Sequence, residues 1–146
     1  DNGQFTDTKQ LELNGLLKQY LQDYEEVYDY RNIEVTIDEQ DIFNVTMNES
    51  LAVALLTNLL KNAFVHNIDG GHIRITVTKN SITFRNSGVE NPLDKEHIFE
   101  RFYQGTKKEG STGLGLAIAD SICRLQHLSI RYYFEQKEHC FEISRQ

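Results

Sequence analysis

The segment Asn58-Leu59-Leu60-Lys61-Asn62-Ala63-Phe64-Val65-His66 places polar side chains in one register of a predicted helix. Asn58, Asn62 and His66 recur at every fourth position, so each is displaced by only about 40° and together they form a stripe. A carboxamide at the edge of an apolar face needs a partner, because a buried unsatisfied amide costs about 1–3 kcal/mol. The asparagines of the stripe therefore either cap a neighbouring strand or bind water, or their oxygens coordinate Mg²⁺ or meet a ligand's phosphates.

A second signal lies further along the chain, in Gly110-Ser111-Thr112-Gly113-Leu114-Gly115-Leu116-Ala117. Its glycines precede a helix-forming run, so bare backbone N–H groups and a helix N-terminus can face an anion. A flexible hinge or close helix packing would explain the same glycines. Because the segment follows an irregular stretch and contains no Gly-Lys-Ser or Gly-Lys-Thr, it fits neither a dinucleotide-binding turn nor a P-loop.

Residues 86–112 separate these two signals and show no sustained hydrophobic period. A loop of this length inside a compact domain is usually functional and often forms a lid. Within it, Ile98-Phe99-Glu100-Arg101-Phe102-Tyr103 brings aromatic side chains into a polar stretch. We expect Phe99 and Phe102 to tether the middle of the loop to the body of the domain, as a lid that closes over a ligand requires.

Hydrophobic periodicity predicts three helices, at 11–28, 49–66 and 113–126, with Asn48 as the N-cap of the second. Strands are predicted at 33–37, 42–47, 73–77, 81–84, 129–134 and 140–144. Residues 1–8 are expected to be frayed, or to be the remnant of an upstream element. This order predicts a single α+β domain over residues 1–146, a two-layer α/β sandwich with helices packed on one face of a mixed β-sheet.

Composition narrows the functional classes. The chain has 146 residues and a net charge of −7, which disfavours a nucleic-acid partner because non-specific binding depends on neutralising phosphates. Its longest unbroken apolar run, 51–56, is far shorter than the roughly 20 residues of a membrane span, so no membrane insertion by this chain is expected. Cys123 and Cys140 lack metal-type spacing and indicate free thiols in a reducing compartment, which favours a cytoplasmic location.

Taken together and in this order, the segments resemble the ATP-binding catalytic domain of two-component sensor histidine kinases, in the GHKL ATPase superfamily. The resemblance covers nearly the whole chain, from Leu11 to Ser144. Residues 58–63 are similar to the family's N box, 99–102 to its F box and 113–118 to its second glycine box. Each match is weak alone, but the three in order, with a loop between them, form a specific pattern.

The resemblance implies ATP and Mg²⁺ as ligands and assigns no firm catalytic residue. By it, Asn62 binds Mg²⁺, Asn58 lies beside the metal, and His66 lies near the sugar or phosphates. The 110–115 glycines hold the phosphates and residues 89–112 form the ATP lid, whose cationic side chains either meet the phosphates or are simply solvated. The implied ATP-binding residues are Asn58, Asn62, His66, Asn86, Gly88, Phe99, Arg101, Phe102, Lys107, Lys108, Gly110, Thr112, Gly113, Leu114, Gly115 and Leu116.

The sequence departs from the family pattern at two places. The family's first glycine box begins with an Asp that accepts a hydrogen bond from the adenine amino group, whereas the aligned stretch here is Asn86-Ser87-Gly88-Val89-Glu90. Asn86 still accepts through its carboxamide oxygen but carries no charge, and Glu90 replaces a glycine. The helix position before His66, often basic in the family, is Val65, so one phosphate contact is missing.

The resemblance implies donation of the γ-phosphoryl of Mg-ATP to a histidine on a separate dimerisation domain of the same kinase. The histidines at 66, 72, 97, 127 and 139 lack the setting of that acceptor, so the expected partner is the helical hairpin of a parent kinase, with a response regulator downstream. The parent is expected to be anchored in the inner membrane.

Other functions remain open at this point. Hydrolysing superfamily members use a Glu where Asn58 stands, and an amide cannot take a proton, so an ATPase is not expected. A degenerate regulatory module is the main alternative, favoured by Asn86 and Glu90. A serine kinase that inhibits a transcription factor is a third, disfavoured by the F box.

Overall fold

The computed structural model describes residues 7–103 and 113–146. Three helices and seven strands follow one another in these ranges. The strands are β1 Lys9–Glu12, β2 Glu34–Glu39, β3 Asn44–Met47, β4 His72–Val77, β5 Ser81–Asn86, β6 Leu128–Glu135 and β7 Glu138–Arg145. The helices are α1 Leu13–Val27, α2 Glu49–Val65 and α3 Gly115–Leu125, with a short 3₁₀ turn at Asp29–Arg31.

The main sheet has five strands in the order β2-β4-β5-β7-β6. Only β2 and β4 run parallel, and the other three neighbouring pairs are antiparallel, so the sheet is mixed as predicted. Ile75, Phe84, Phe141 and Tyr132 lie directly opposite one another across four strands. All four side chains are buried in the core, because residues directly opposite one another on neighbouring strands point to the same face of the sheet.

The helices cover one face of this sheet. Helix α2 packs against β5 and is flanked by α1 and α3, and its leucines are fully buried at Leu55, Leu56 and Leu60. The predicted two-layer α+β sandwich is therefore confirmed. No helix in the described ranges is both long and apolar enough to cross a membrane.

Both ends of α2 are fixed by side chains. The Asn48 Oδ1 accepts from the Leu51 N–H at 3.0 Å, which confirms the predicted N-cap. At the other end, Arg31 donates to the Phe64, Val65 and Asn67 carbonyls and pairs with Asp69. The Phe64 carbonyl also accepts from the Asn67 N–H at 3.3 Å, and Arg31 adds donors at a helix end whose carbonyls are otherwise left to water.

The N-terminal boundary of α1 differs from the prediction. The periodicity predicts a helix from Leu11, but Lys9–Glu12 forms β1, which pairs antiparallel with β3 as a separate two-stranded sheet. Leu11 and Leu13 fit both an alternating and a helical pattern, and pairing with a strand more than thirty residues away decides between them. Helix α3 likewise begins at Gly115, two positions after the predicted start. Residues 1–6, most of the segment predicted to be frayed, lie outside the described residues.

Candidate functional site

Asn58, in the middle of α2, lies close to the start of α3. Its Nδ2 donates to the Ala54 carbonyl at 2.7 Å, which turns its Oδ1 away from the helix. A methyl group at Gly115 would lie 3.0 Å from this oxygen, a contact tighter than most carbon atoms accept. The glycine predicted for phosphate binding therefore does meet the asparagine stripe, and its missing side chain is what allows the approach.

The other end of the stripe meets the turn that follows β5. Gly88 is buried, and a methyl group there would lie 2.8 Å from the His66 carbonyl oxygen and 3.2 Å from Cδ2 of His139. Asn58 and His66 are eight residues apart, or about 12 Å along α2. The predicted residues thus form one site along α2, with a close glycine contact at each end.

Asn86 supplies an unsatisfied acceptor beside this second contact. The side chain is 2% exposed, and its Nδ2 donates to the Ser87 carbonyl at 2.8 Å. Its Oδ1 is the only buried side-chain oxygen or nitrogen in residues 7–103 and 113–146 that has no hydrogen-bond partner. The Ser87 carbonyl can only accept, so it fixes the orientation of the amide and leaves the oxygen free for a donor from outside the described chain.

Asn62 lies between the two contacts. The side chain is half-buried, and within the described ranges no hydrogen bond to it is formed. This differs from Asn58 and from Asn67, whose amide bridges the Ala63 and His72 carbonyls. An amide oxygen with no internal partner on this stripe fits a ligand to a hard cation, and no other described residue competes for it.

The start of α3 is suited to bind an anion. Within residues 7–103 and 113–146 no side chain caps this helix, and its first turn carries no acidic residue, in contrast to α2. The N–H groups of an uncapped first turn attract negative charge. Leu116 is half-buried against the core and holds the turn in place, while Leu114 is the N-cap residue.

The described part of the predicted lid is attached to the sheet through one of the two expected aromatic residues. Phe99 packs edge-on against Phe141 with ring centroids 6.3 Å apart, and Ile98 beside it is buried, so this tether is confirmed. Phe102 is 68% exposed, and the expectation that it packs against the body is wrong.

The backbone explains the exposure of Phe102. Its φ is 65°, and its N–H donates to the Gly113 carbonyl at 2.6 Å, which joins the chain on either side of residues 104–112. The ring turns outward, where the Arg101 guanidinium lies 5.6 Å from its centroid. Lys107, Lys108, Gly110 and Thr112 were also predicted as ATP-binding residues and lie outside the described residues.

The sequence analysis did not predict a role for four residues that lie around the turn after β5: Asn67, His72, Ser87 and His139. Asn67 is fully buried, and its Oδ1 accepts from the Ile68 N–H and from the Ser87 hydroxyl, which also accepts from the His72 N–H. His139 lies opposite Asn86 in the sheet register and adjoins Gly88. Of these four, only Asn67 could have been suspected from the sequence, because it directly follows His66 at the end of the stripe.

We expect Gly88→Ala to lower the free energy of unfolding by about 1–3 kcal/mol, because the new methyl group collides with a backbone oxygen and a buried ring. Gly15→Ala is the matched control. Gly15 lies in α1, where a new methyl group would have no neighbouring atom within 4 Å, so this change should raise stability by about 0.5–1 kcal/mol. Urea unfolding of both variants checks the pair. Equal stability of Gly88→Ala and the parent would mean that the turn after β5 does not need the glycine.

Comparison with known proteins identifies the family. The profile of the histidine kinase-, DNA gyrase B- and HSP90-like ATPases matches residues 47–144, more than half of the chain. The chain belongs to this family. The match includes the asparagine stripe, the turn after β5 and the start of α3, which are the parts of the candidate site.

Relatives and solved structures narrow the assignment to sensor histidine kinases. The heme sensor protein HssS of Staphylococcus aureus is 33% identical over 127 residues, which cover 84% of this chain and 28% of HssS. The sensor histidine kinase RppB of Synechocystis is 43% identical over 84 residues, covering 51% of this chain and 18% of RppB. The chain thus spans between about a fifth and about three tenths of the length of these relatives.

The catalytic domain of the histidine kinase ThkA has a TM-score of 0.82 and 25% identity to this chain, and 94% of each chain is covered. The mycobacterial sensor histidine kinase MprB, at 18% identity and a TM-score of 0.81 over 95% of this chain and 99% of MprB, supports the fold. The sequence prediction of a histidine kinase catalytic domain of the ATP-binding type is confirmed.

Proposed function

We propose that this domain binds Mg-ATP and donates the γ-phosphoryl group to a histidine on a separate dimerisation domain of the same sensor kinase. The observation that carries the proposal is the buried Asn86 Oδ1, which has no partner among the described residues and lies beside Gly88. Such an oxygen accepts from the exocyclic amino group of adenine. A guanine would present its own acceptor there and be repelled.

The other end of the site receives the phosphates in this proposal. The N-terminus of α3, with Gly113 and Gly115, offers N–H groups and a favourable dipole, while His66 lies near the sugar or phosphates. Residues 89–112 act as the lid, with Arg101, Lys107 and Lys108 adding positive charge. Phosphoryl transfer depends mostly on positioning and charge neutralisation, so a domain without a covalent nucleophile can perform it.

Asn62 fits the magnesium ion that such a reaction uses. Mg²⁺ keeps several waters and takes few protein oxygens in addition to substrate phosphates, so one neutral amide is a sufficient ligand. When bound, the ion would supply positive charge that neutralises the phosphates. In this proposal Asn62 holds the ion, and Asn58 keeps the start of α3 at the distance the phosphates require.

Transfer rather than hydrolysis is favoured by Asn58. Its amide has no basic atom that could take a proton from water, and its nitrogen already donates a hydrogen bond to the Ala54 carbonyl. The acceptor histidine would come from a helical dimerisation hairpin of a longer sensor anchored in the inner membrane. A response regulator would act downstream; ThkA has been solved in complex with the response regulator TrrA.

Calorimetric titration with a non-hydrolysable ATP analogue, with and without Mg²⁺, tests binding. For transfer, we expect the chain alone, incubated with γ-labelled ATP, neither to label itself nor to hydrolyse ATP quickly. Adding the dimerisation hairpin of the parent kinase should produce acid-labile phosphate on histidine. Strong self-labelling without the hairpin would overturn the assignment.

A regulatory module without kinase activity is the second candidate. The neutral Asn86 favours it, and Glu90 is exposed and paired only with Lys137, at 3.7 Å, among the described residues. The same titration separates the two functions, because a regulatory module that has lost its ligand would give no heat with ATP in either condition.

A further inference from the structure

Two side chains of the final hairpin hold the chain where it leaves β5 for the lid. The Leu93 N–H donates to the Tyr132 hydroxyl oxygen at 3.0 Å, and this hydroxyl lies 2.8 Å from Nδ1 of His139. Nε2 of the same ring lies 2.6 Å from the Val89 carbonyl. Tyr132 is in β6 and His139 is in β7, so the hairpin is hydrogen-bonded to the first part of the proposed lid at two residues, Leu93 and Val89.

The partners fix the position of each proton. A carbonyl only accepts, so His139 must carry its proton on Nε2 and donate it to Val89. In the neutral ring Nδ1 is then an acceptor, and Tyr132 donates its hydroxyl proton to it. The Tyr132 oxygen keeps a lone pair for the Leu93 N–H. Each polar atom in the series Leu93 N–H, Tyr132 hydroxyl, His139 ring and Val89 carbonyl therefore has a hydrogen-bond partner.

The pair is buried, and the described groups around it are uncharged. Tyr132 and His139 are each 4% exposed, with ring centroids 5.9 Å apart. The described groups that face the His139 ring are Tyr132 and Phe134 from β6, Asn86 from β5, and the backbone of Gly88 and Val89. Burial lowers the pKa of His139, so the neutral ring that this series requires is also the favoured form.

We propose that His139 and Tyr132 are positioning residues for nucleotide binding, which set the path of residues 88–93 and with it the position of the chain beside the unpartnered Asn86 Oδ1. This inference rests on the proposed function. A methyl group at Gly88 would collide with both the His66 carbonyl oxygen and the His139 ring, so the turn packs closely against both, and a displaced ring moves the turn between the stripe and Asn86. The pair acts through that turn and need not touch the nucleotide.

The test compares Tyr132→Phe with Tyr133→Phe. Both remove one hydroxyl and keep the ring, but Tyr133 is on the other face of the sheet, under the Arg131 guanidinium, and its hydroxyl has no hydrogen bond within the described ranges. Tyr132→Phe should weaken binding of a non-hydrolysable ATP analogue about threefold to tenfold, the effect of one hydrogen bond. The Leu93 amide should exchange faster in nucleotide-free protein, and Tyr133→Phe should change neither quantity.

A pH profile gives a readout that simple loss of packing would not change. Protonated His139 has no acceptor at Nδ1, so Tyr132 can no longer donate to it. The His139→Gln variant keeps an N–H for the Val89 carbonyl but has no group that titrates. The affinity of the parent divided by that of His139→Gln should therefore be constant at neutral pH and fall as the pH drops below the usual histidine range near about 6.5. The protonation state of the nucleotide cancels in this ratio.

The outcomes separate the two proposals. If the parent binds the analogue and Tyr132→Phe binds it as tightly, the positioning role is wrong and the proposed function stands. A flat affinity ratio down to about pH 5, with parent and variants folded, also overturns the role. If the parent itself does not bind the analogue at any pH, the proposed function fails, and the positioning inference fails with it.

Discussion

Asn62→Ala should abolish the Mg²⁺-dependent part of ATP binding while leaving the domain folded. The affinity of the variant for Mg-ATP should equal the affinity of the parent measured in excess chelator. Residues that only orient a metal ligand cost about 10–100-fold in metal affinity when they are removed, so loss of the ligand itself should cost at least about 100-fold. Calorimetry over a range of Mg²⁺ concentrations measures this directly.

The stability of Asn62→Ala should move in the opposite direction from its binding. The Asn62 side chain makes no hydrogen bond within the described ranges, and alanine is a better helix former by about half a kcal/mol. The free energy of unfolding should therefore stay constant or rise slightly. A ligand role predicts this separation of stability from affinity, whereas a structural role predicts that both fall together.

Two further variants complete the experiment. Asn62→Asp retains an oxygen at the same place and should restore Mg²⁺ dependence. Thr57→Ala changes the same helix, where the hydroxyl bonds only the Val53 and Ala54 carbonyls, and should leave nucleotide binding unchanged. If Asn62→Ala binds Mg-ATP as tightly as the parent, the metal does not bind at this residue.

The sequence predicted the parts of the site that depend on local periodicity. A four-residue repeat places Asn58, Asn62 and His66 on one side of a helix regardless of the surrounding fold, and the structure keeps them on one stripe beside Gly88 and Gly115. The strands were predictable for a similar reason, because apolar and polar residues alternate along segments such as Glu34–Glu39 and His72–Val77. These features need only neighbouring residues to be recognised.

The remaining contacts depend on residues that are distant in the sequence. Arg31 satisfies the end of α2 from 33 positions away, and His139 reaches Val89 across 50 positions. An arginine in a turn and a histidine in a strand have many possible roles, and only the sheet register selects these. Phe102 was misplaced because a backbone bond to Gly113 gives it a positive φ, a conformation that aromatic residues rarely adopt and composition does not reveal.

Asn86→Ala should remove most of the ATP affinity and all of the preference for ATP over GTP. It deletes the acceptor for the adenine amino group and leaves that group buried without a partner. One lost hydrogen bond and one unsatisfied donor together weaken binding about tenfold to a hundredfold. The stability of the free protein should change little, because the variant loses the bond to Ser87 but also the unsatisfied oxygen, which costs about 1–3 kcal/mol.

Asn86→Asp provides the sharper comparison, because it restores the family's acid. A charged acceptor would contribute about 1 kcal/mol more than a neutral one, but the parent's Nδ2 donates to the Ser87 carbonyl at 2.8 Å, and a carboxylate would place an oxygen against that carbonyl. The repulsion and the lost bond offset the gain, so we expect ATP to bind Asn86→Asp no more tightly than the parent.

Titration of parent, Asn86→Ala and Asn86→Asp with ATP and GTP decides between the two candidate functions. A parent that prefers ATP, an alanine variant that binds neither nucleotide well and an aspartate variant close to the parent support a working site built around a neutral acceptor. If instead the parent binds neither nucleotide and Asn86→Asp binds ATP well, the asparagine is the change that removed the ligand. The domain would then be a regulatory module rather than a kinase.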